Sequence, residues 1–244
     1  MNIPQHQERI NGQGYTVIPD VFDTSAIEAM AAAINAADPT GPLFRQTSDL
    51  FAIRRFLQAV PAIQPLVFTN RLQVLLQQLF GPGYFPVKSI YFDKPGQSNW
   101  FVAWHQDLTI SVAEKLPVEG YGPWTVKPDQ YAVQPPVAVL ESNFTIRIHL
   151  DDTDARNGAL KVIPGSHQKG IYRADTIDMN ITPDVSCAVP PGGMMIMRPL
   201  LMHASGRSSN GHHRRVIHIE FSNQALAGGL QWAEQLTLLP PAEA

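Results

Sequence analysis

The spacing of apolar residues changes about a third of the way along this chain. Up to residue 83 it is mostly helical, and in residues 69–80 four leucines fall on one helix face. Beyond that point, short apolar or alternating segments are separated by turns rich in Pro, Gly and Asn. The pattern predicts a helical part at about residues 20–83 and a core of short β-strands at about residues 84–222.

The individual elements follow from the same pattern. A strand is predicted at residues 14–19, and Asp23 is predicted to cap the first of three helices, at about 26–37, 50–60 and 69–80. The predicted strands of the second part are 87–93, 100–107, 137–140, 144–150, 160–163, 194–198 and 214–221. Residues 111–136 are predicted to form a long irregular loop, and residues 240–244 a frayed end. Many short strands separated by turns favour a β-sandwich or barrel.

Two of the predicted strands have one apolar and one polar face. In residues 144–150 the polar face carries Arg147 and His149, and in residues 214–221 it carries Arg214, His218 and Glu220. Two explanations are open. The polar faces lie in water, or they line a cavity while the apolar faces pack under the N-terminal helices. Arginines and histidines within the strands of a nearly neutral protein favour the cavity.

Composition narrows the functional class. Hydrophobic residues make up 44% of the 244 residues and the net charge is −3, which argues against nucleic acid or an anionic membrane as the main partner. Cys187 is the only cysteine, so no intrachain disulfide can form. The first residues lack the pattern of a secretory signal. We therefore expect one cytoplasmic domain over residues 1–244 with a small-molecule substrate; the sequence carries no signal for an oligomeric state.

The residues with the clearest chemistry are in Trp104-His105-Gln106-Asp107. On a strand, His105 and Asp107 would point to the same face and could occupy two neighbouring positions around a metal ion. A third ligand would complete the 2-His-1-carboxylate set of non-haem Fe(II) oxygenases. A His-x-Asp pair is common in proteins, so this pair alone is weak support for a metal site.

Three segments in fixed order provide the further support. They are Tyr91-Phe92-Asp93-Lys94 with Asn99-Trp100 and Trp104–Asp107, then His149-Leu150-Asp151-Asp152-Thr153 with 157–167, and finally 198–206 with Arg214-Arg215-Val216. Together they resemble the phytanoyl-CoA dioxygenase-like family of Fe(II)/2-oxoglutarate-dependent oxygenases over about residues 14–221. The resemblance implies an all-β core, a double-stranded β-helix (jelly roll, cupin-like), with the N-terminal helices packed on one sheet.

The resemblance also implies the roles of individual residues. His105, Asp107 and His203 match the iron ligands, and Arg214, eleven residues after His203, matches the arginine that binds 2-oxoglutarate. A planar guanidinium suits a carboxylate because it offers two parallel hydrogen bonds. Ser205 matches a hydroxyl near the same carboxylate. Arg54 and Ile90 fall near a basic position and a wall position that contact the co-substrate in family members.

The substrate side is less defined. Arg147 stands where some family members have tryptophan, so we assign substrate contact to Arg147, His149 and His218; the two histidines could equally be satisfied core residues. The expected reaction uses Fe(II), 2-oxoglutarate and O2 to hydroxylate a C–H bond of a small polar metabolite, with release of succinate and CO2.

Other outcomes are compatible with the same residues. Asp107 is intact, whereas related halogenases lack this carboxylate, so hydroxylation is favoured over halogenation. Desaturation, epimerisation and cyclisation would share every residue named here. A non-catalytic metal-binding jelly roll would not need Arg214, and a cofactor-independent isomerase or carbohydrate-binding sandwich would be insensitive to chelators.

Overall fold

The structure, a computed structural model, describes residues 1–47, 51–96, 98, 100–127, 130–172, 174–176 and 182–238. The N-terminal third is mainly helical, and the Asp23 side chain accepts a hydrogen bond from the Ala26 N–H at 2.8 Å, capping the second helix as predicted. Its elements are α1 (Ile3–Gln13), β1 (Tyr15–Ile18), α2 (Thr24–Asn35), β2 (Phe44–Gln46), β3 (Phe51–Arg54), α3 (Phe56–Ala59), α4 (Gln64–Val67) and α5 (Asn70–Phe80).

The remainder of the described chain is mainly short strands, as the turn-rich pattern predicts. They are β4 (Phe85–Lys94), β5 (Val102–His105), β6 (Ile110–Val112), β7 (Trp124–Lys127), β8 (Gln130–Val133), β9 (Phe144–His149), β10 (Leu160–Val162), β11 (Val185–Ser186), β12 (Met194–Met197), β13 (His203–Ser205) and β14 (Arg214–Ser222). One further helix, α6 (Val137–Ser142), lies between β8 and β9.

The strands form three antiparallel sheets. The largest has seven strands in the order β1-β12-β9-β14-β4-β3-β2, and the second has four in the order β11-β10-β13-β5. A three-stranded sheet, β6-β8-β7, lies beside them. Neighbouring strands that are distant in sequence, such as β14 between β9 and β4, are typical of a jelly roll.

The main hydrophobic core lies between the N-terminal helices and one face of the seven-stranded sheet. Apolar residues of α1, α2 and α5, including Met30 and Leu72, pack there against Ile146 and Ile148 of β9 and Ile217 of β14. Because side chains alternate along a strand, Arg147 of β9 and Arg214, His218 and Glu220 of β14 lie on the opposite face of the large sheet, towards the four-stranded sheet. The helices thus cover one side of the large sheet, as predicted. The single domain over residues 1–244 stays a prediction.

Three predictions of local structure were wrong, and helix α1 was not predicted. Residues 51–54, predicted as part of a helix, form β3, which pairs with β4, and Arg55 with φ 46° separates this strand from α3. Residues 137–140, predicted as a strand, belong to a helix that follows Pro136 at its N-cap. A short apolar run alone is compatible with either structure. Residues 111–136 contain most of the three-stranded sheet.

Residue 50 and residues 240–244, for which a helix and a frayed end were predicted, lie outside the described residues, as does Asn99. Within the described part of the chain, no helix has both the length and the apolar character required to span a lipid bilayer.

Candidate metal centre and its cavity

Two paired strands bring the predicted metal ligands together. His105 ends β5 and His203 begins β13, and the two residues are direct partners in the antiparallel ladder. Asp107 lies beyond the end of β5, so the predicted strand alternation does not position it. Instead, its backbone N–H donates to the Pro199 carbonyl at 2.9 Å. One ligand atom of each of the three side chains lies within 4.8 Å of the others.

The hydrogen bonds of the two imidazoles leave one nitrogen of each available. Nδ1 of His105 lies 2.8 Å from the Ala103 carbonyl, and Nδ1 of His203 lies 2.9 Å from the Leu201 carbonyl. A carbonyl only accepts, so each Nδ1 carries a proton, and in the neutral imidazole Nε2 then presents a lone pair. Each Nε2 lies 3.8 Å from an Asp107 carboxylate oxygen.

Asp107 carries an unsatisfied acceptor at this point. Its Oδ2 is buried and has no hydrogen-bond partner among the described residues. Buried carboxylate oxygens are normally hydrogen-bonded or bound to a metal. Two imidazole nitrogens and one carboxylate are also the donor set that suits a non-haem divalent iron ion. The residues present therefore fit a metal.

The ionisation states are those that metal binding requires. Burial opposes the charge on Asp107, but His203 and Lys88 outweigh it and hold the pKa of its carboxyl at about 2. Burial, which outweighs the opposing effect of Asp107, lowers the pKa of His203 to about 4. At neutral pH Asp107 is therefore anionic and His203 neutral, so neither of these two ligands has to lose a proton before a cation binds.

The triad opens into a cavity of about 210 Å³ between the two larger sheets. Its apolar lining comes from Ile90, Phe92, Trp100, Val102 and Leu160, and its polar lining from Lys88, His105, Asp107, Arg147, His203, Ser205, Arg214, His218 and Glu220. Of the polar residues that the strand alternation assigned to this face, Arg147, Arg214, His218 and Glu220 line the cavity and His149 does not. Its Nδ1 is bonded to Thr153 Oγ1 at 2.8 Å, and it is not among the residues that line the cavity.

Arg214 lies in one part of the cavity wall and is only 2% exposed. One of its Nη atoms donates to the Gly158 carbonyl, which also accepts from Ser205 Oγ at 2.9 Å. Its Nε is buried and has no partner. Burial, with the charge of Arg147, lowers the pKa of Arg214 to about 9. Arg214 and Ser205 therefore share one wall of the cavity, as the resemblance implies.

Another part of the wall contains a network of hydrogen-bonded polar side chains. Lys88 Nζ donates to Glu220 Oε1 at 2.6 Å, and His218 Nε2 lies 3.3 Å from the same oxygen. Arg147 Nη1 lies 3.0 Å from His218 Nδ1. Lys88 was not predicted to belong to the site. The sequence signal was present, because Lys88 lies on the same face of β4 as Ile90 and Phe92.

The two residues assigned less directly to the co-substrate lie near each other. Ile90 lines the cavity, and Arg54 is its cross-strand partner on β3. Arg54 itself lines an adjoining pocket with Lys88, Ser89 and Glu234 rather than the cavity of the triad. Its contact with a co-substrate stays a prediction.

Comparison with known proteins places these observations in context. The phytanoyl-CoA dioxygenase family model matches residues 10–216. No curated protein sequence matches the chain. A solved structure of EctD from S. alaskensis with 2-oxoglutarate and 5-hydroxyectoine is 18% identical over 91% of this chain and 76% of EctD, with a TM-score of 0.69.

Two enzymes of nogalamycin biosynthesis are similar to the same extent. The non-heme alpha-ketoglutarate-dependent epimerase SnoN is 16% identical over 91% of this chain and 83% of its own, with a TM-score of 0.67. The corresponding carbocyclase, SnoK, is 16% identical over 96% of this chain and 93% of its own, with a TM-score of 0.65. Likeness at these identities concerns the fold, and it confirms the predicted jelly roll with flanking helices.

Proposed function

The chain belongs to the phytanoyl-CoA dioxygenase family, and from this premise we propose that it is an Fe(II)/2-oxoglutarate-dependent oxygenase. It hydroxylates a C–H bond of a small polar metabolite and releases succinate and CO2. The observation that carries the proposal is the convergence of His105, Asp107 and His203 in one cavity with the buried Arg214. A metal site alone would not require a buried arginine opposite it.

His105, Asp107 and His203 would hold the iron. When bound with 2-oxoglutarate and O2, iron supplies the oxidising power that a C–H bond requires. The protein fixes the two imidazole rings through the Ala103 and Leu201 carbonyls, so both Nε2 atoms are oriented before the metal arrives. The apolar part of the lining, with Phe92, keeps bulk water away from the reacting groups.

Arg214 and Ser205 would bind the distal carboxylate of 2-oxoglutarate. In the described part of the chain, Arg214 has no carboxylate within ion-pair distance, and its Nε lacks any partner. A buried guanidinium in this state is stabilised by an anion that accepts two hydrogen bonds. Ile90 would form a wall of this subsite, and Arg54 would contribute positive charge from the adjoining pocket.

The intact Asp107 favours hydroxylation over halogenation. The same site could instead direct epimerisation, cyclisation or desaturation, and the similarity of fold to the epimerase SnoN and the carbocyclase SnoK gives the first two specific support. These outcomes share the release of succinate and differ in whether the product gains an oxygen atom, which mass spectrometry of the product distinguishes.

The direct test is aerobic release of succinate from 2-oxoglutarate by the Fe(II)-loaded protein, with small polar metabolites added one at a time. We expect succinate with the wild type and with Arg156→Gln, whose side chain is 70% exposed, and a loss of at least about 100-fold with His203→Ala. Chelator-resistant turnover, or equal turnover by His203→Ala, would overturn the proposal.

A further inference from the structure

Arg147 is a buried cation in the wall of the cavity that contains the triad. It is 7% exposed, and the only hydrogen bond of its side chain among the described residues runs from Nη1 to His218 Nδ1. Its Nε is buried and has no partner. A buried guanidinium is normally paired with a carboxylate, because a lone buried charge is strongly destabilising. Among the described residues Arg147 has no carboxylate within ion-pair distance.

His218 cannot supply the missing charge. An arginine only donates hydrogen bonds, so His218 Nδ1 must accept, and His218 Nε2–H then donates to Glu220. This arrangement requires a neutral imidazole. Burial, the largest influence, lowers the pKa of His218 and favours the same neutral form. His218 therefore orients Arg147 without neutralising it.

The sum of the charges in the cavity also identifies Arg147 as the residue without a counter-charge. Among the described residues, the lining of the cavity has three cationic side chains and two anionic ones. Iron(II) and the 2-oxoglutarate dianion cancel each other, so one positive charge is left over. Lys88 is paired with Glu220, Asp107 belongs to the metal triad, and Arg214 would receive the co-substrate carboxylate. The uncompensated charge is that of Arg147.

We propose that the primary substrate carries a carboxylate or a similarly compact anionic group, and that Arg147 binds it. This inference rests on the proposed function, since it assigns Arg214 to 2-oxoglutarate. The cavity of about 210 Å³ also has to hold the co-substrate, which limits the substrate to a small molecule. Substrate binding would remove the excess charge and satisfy Nε of Arg147.

The experiment uses two matched probes, isobutyrate and isobutyramide, which have nearly the same shape and differ in charge. Binding of each probe is measured by ligand-observed NMR to protein saturated with 2-oxoglutarate and with Zn(II) in place of iron. The affinity for 2-oxoglutarate is measured separately, under anaerobic conditions, from the visible charge-transfer band of the Fe(II) protein. The proteins are the wild type, Arg147→Gln, Arg147→Lys and the exposed control Arg156→Gln.

We expect the wild type and Arg156→Gln to bind isobutyrate at least about tenfold more tightly than isobutyramide. Arg147→Gln should abolish this preference and leave the dissociation constant for 2-oxoglutarate within about twofold of the wild-type value. Arg147→Lys should keep part of the preference, because it retains the charge but loses the planar fork.

Each contrary result has a separate meaning. Equal binding of the two probes by the wild type would overturn the inference, even if every variant failed to fold. A preference that survives in Arg147→Gln would overturn it as well. In both cases a normal 2-oxoglutarate band would leave the proposed function intact. Absence of the band in the wild type with iron bound would overturn the proposed function, and this inference with it.

Discussion

The ion pair between Lys88 and Glu220 allows a quantitative test of the cavity wall. The two charges are 2.6 Å apart, and their side chains are 19% and 9% exposed. Glu220→Gln removes the negative charge while nearly keeping the shape, so it leaves the Lys88 ammonium unpaired in a largely buried position. Breaking such a pair costs about 3–5 kcal/mol.

We expect the lower end of that range, about 3 kcal/mol, because Lys88 keeps some contact with water and the glutamine oxygen can still accept its hydrogen bond. For a domain of this size the loss corresponds to a fall in Tm of about 6–12 °C. Urea unfolding followed by circular dichroism at pH 7 measures the free energy directly. The double variant Lys88→Met/Glu220→Gln removes the unpaired charge, so it should show a favourable coupling energy of at least about 1 kcal/mol.

The contribution of Glu220 to the free energy of unfolding should change with pH in a defined direction. Burial opposes the charge on Glu220, but Lys88 and His218 together outweigh it and lower the pKa of the carboxyl below its ordinary 4.5. The contribution of Glu220 to stability is therefore present above about pH 4.5 and is lost as the pH falls through the lowered value. The stability difference between the wild type and Glu220→Gln should narrow over that acidic range.

A surface ion pair supplies the control. Lys161 and Asp184 are 3.1 Å apart, but their side chains are 51% and 32% exposed. Asp184→Asn should cost less than about 1 kcal/mol. The reasoning would be refuted if Glu220→Gln cost no more than this control, or if the effects of the two cavity substitutions were simply additive.

Two further predictions concern the metal and the core. Fe(II) at about 100 times its dissociation constant should raise the Tm of the wild type by about 5–10 °C. Asp107→Ala should abolish this rise. A similar rise in the variant would exclude Asp107 as a ligand. Phe144 is fully buried and stacks between Phe80 and Phe221, at centroid distances of 3.6 and 4.9 Å. Phe144→Ala should therefore cost about 3–5 kcal/mol in urea unfolding, and a loss below about 1 kcal/mol would contradict this packing.

The strand alternation was the most informative part of the sequence. In β9 and β14 it separated the residues that pack under the helices from those that face the cavity, because a strand with one buried face has a fixed register. The resemblance to a family, rather than any local pattern, connected His203 and Arg214 with His105. Their proximity arises from strand pairing between residues about a hundred positions apart, which no local periodicity encodes.

The incorrect predictions have different origins. Residues 51–54 become a strand because they pair with β4, and this tertiary contact overrides the preference of a short apolar run. Residues 137–140 form a helix that follows Pro136, and a short apolar run alone does not distinguish a helix from a strand. The two-residue spacing from Ile90 could have placed Lys88 in the cavity wall, but its ion pair with Glu220, 132 residues away in the sequence, has no local signal.

The most direct test of the central claim is an anaerobic titration of the metal-free protein with Fe(II) and then 2-oxoglutarate, in the wild type and in Arg214→Ala. The observable is the weak visible charge-transfer band that forms when 2-oxoglutarate binds the iron. We predict a band in the wild type and a dissociation constant for 2-oxoglutarate at least about 30-fold higher in Arg214→Ala. Iron binding without a band in the wild type would contradict the account and would identify a metal-binding jelly roll without the oxygenase reaction.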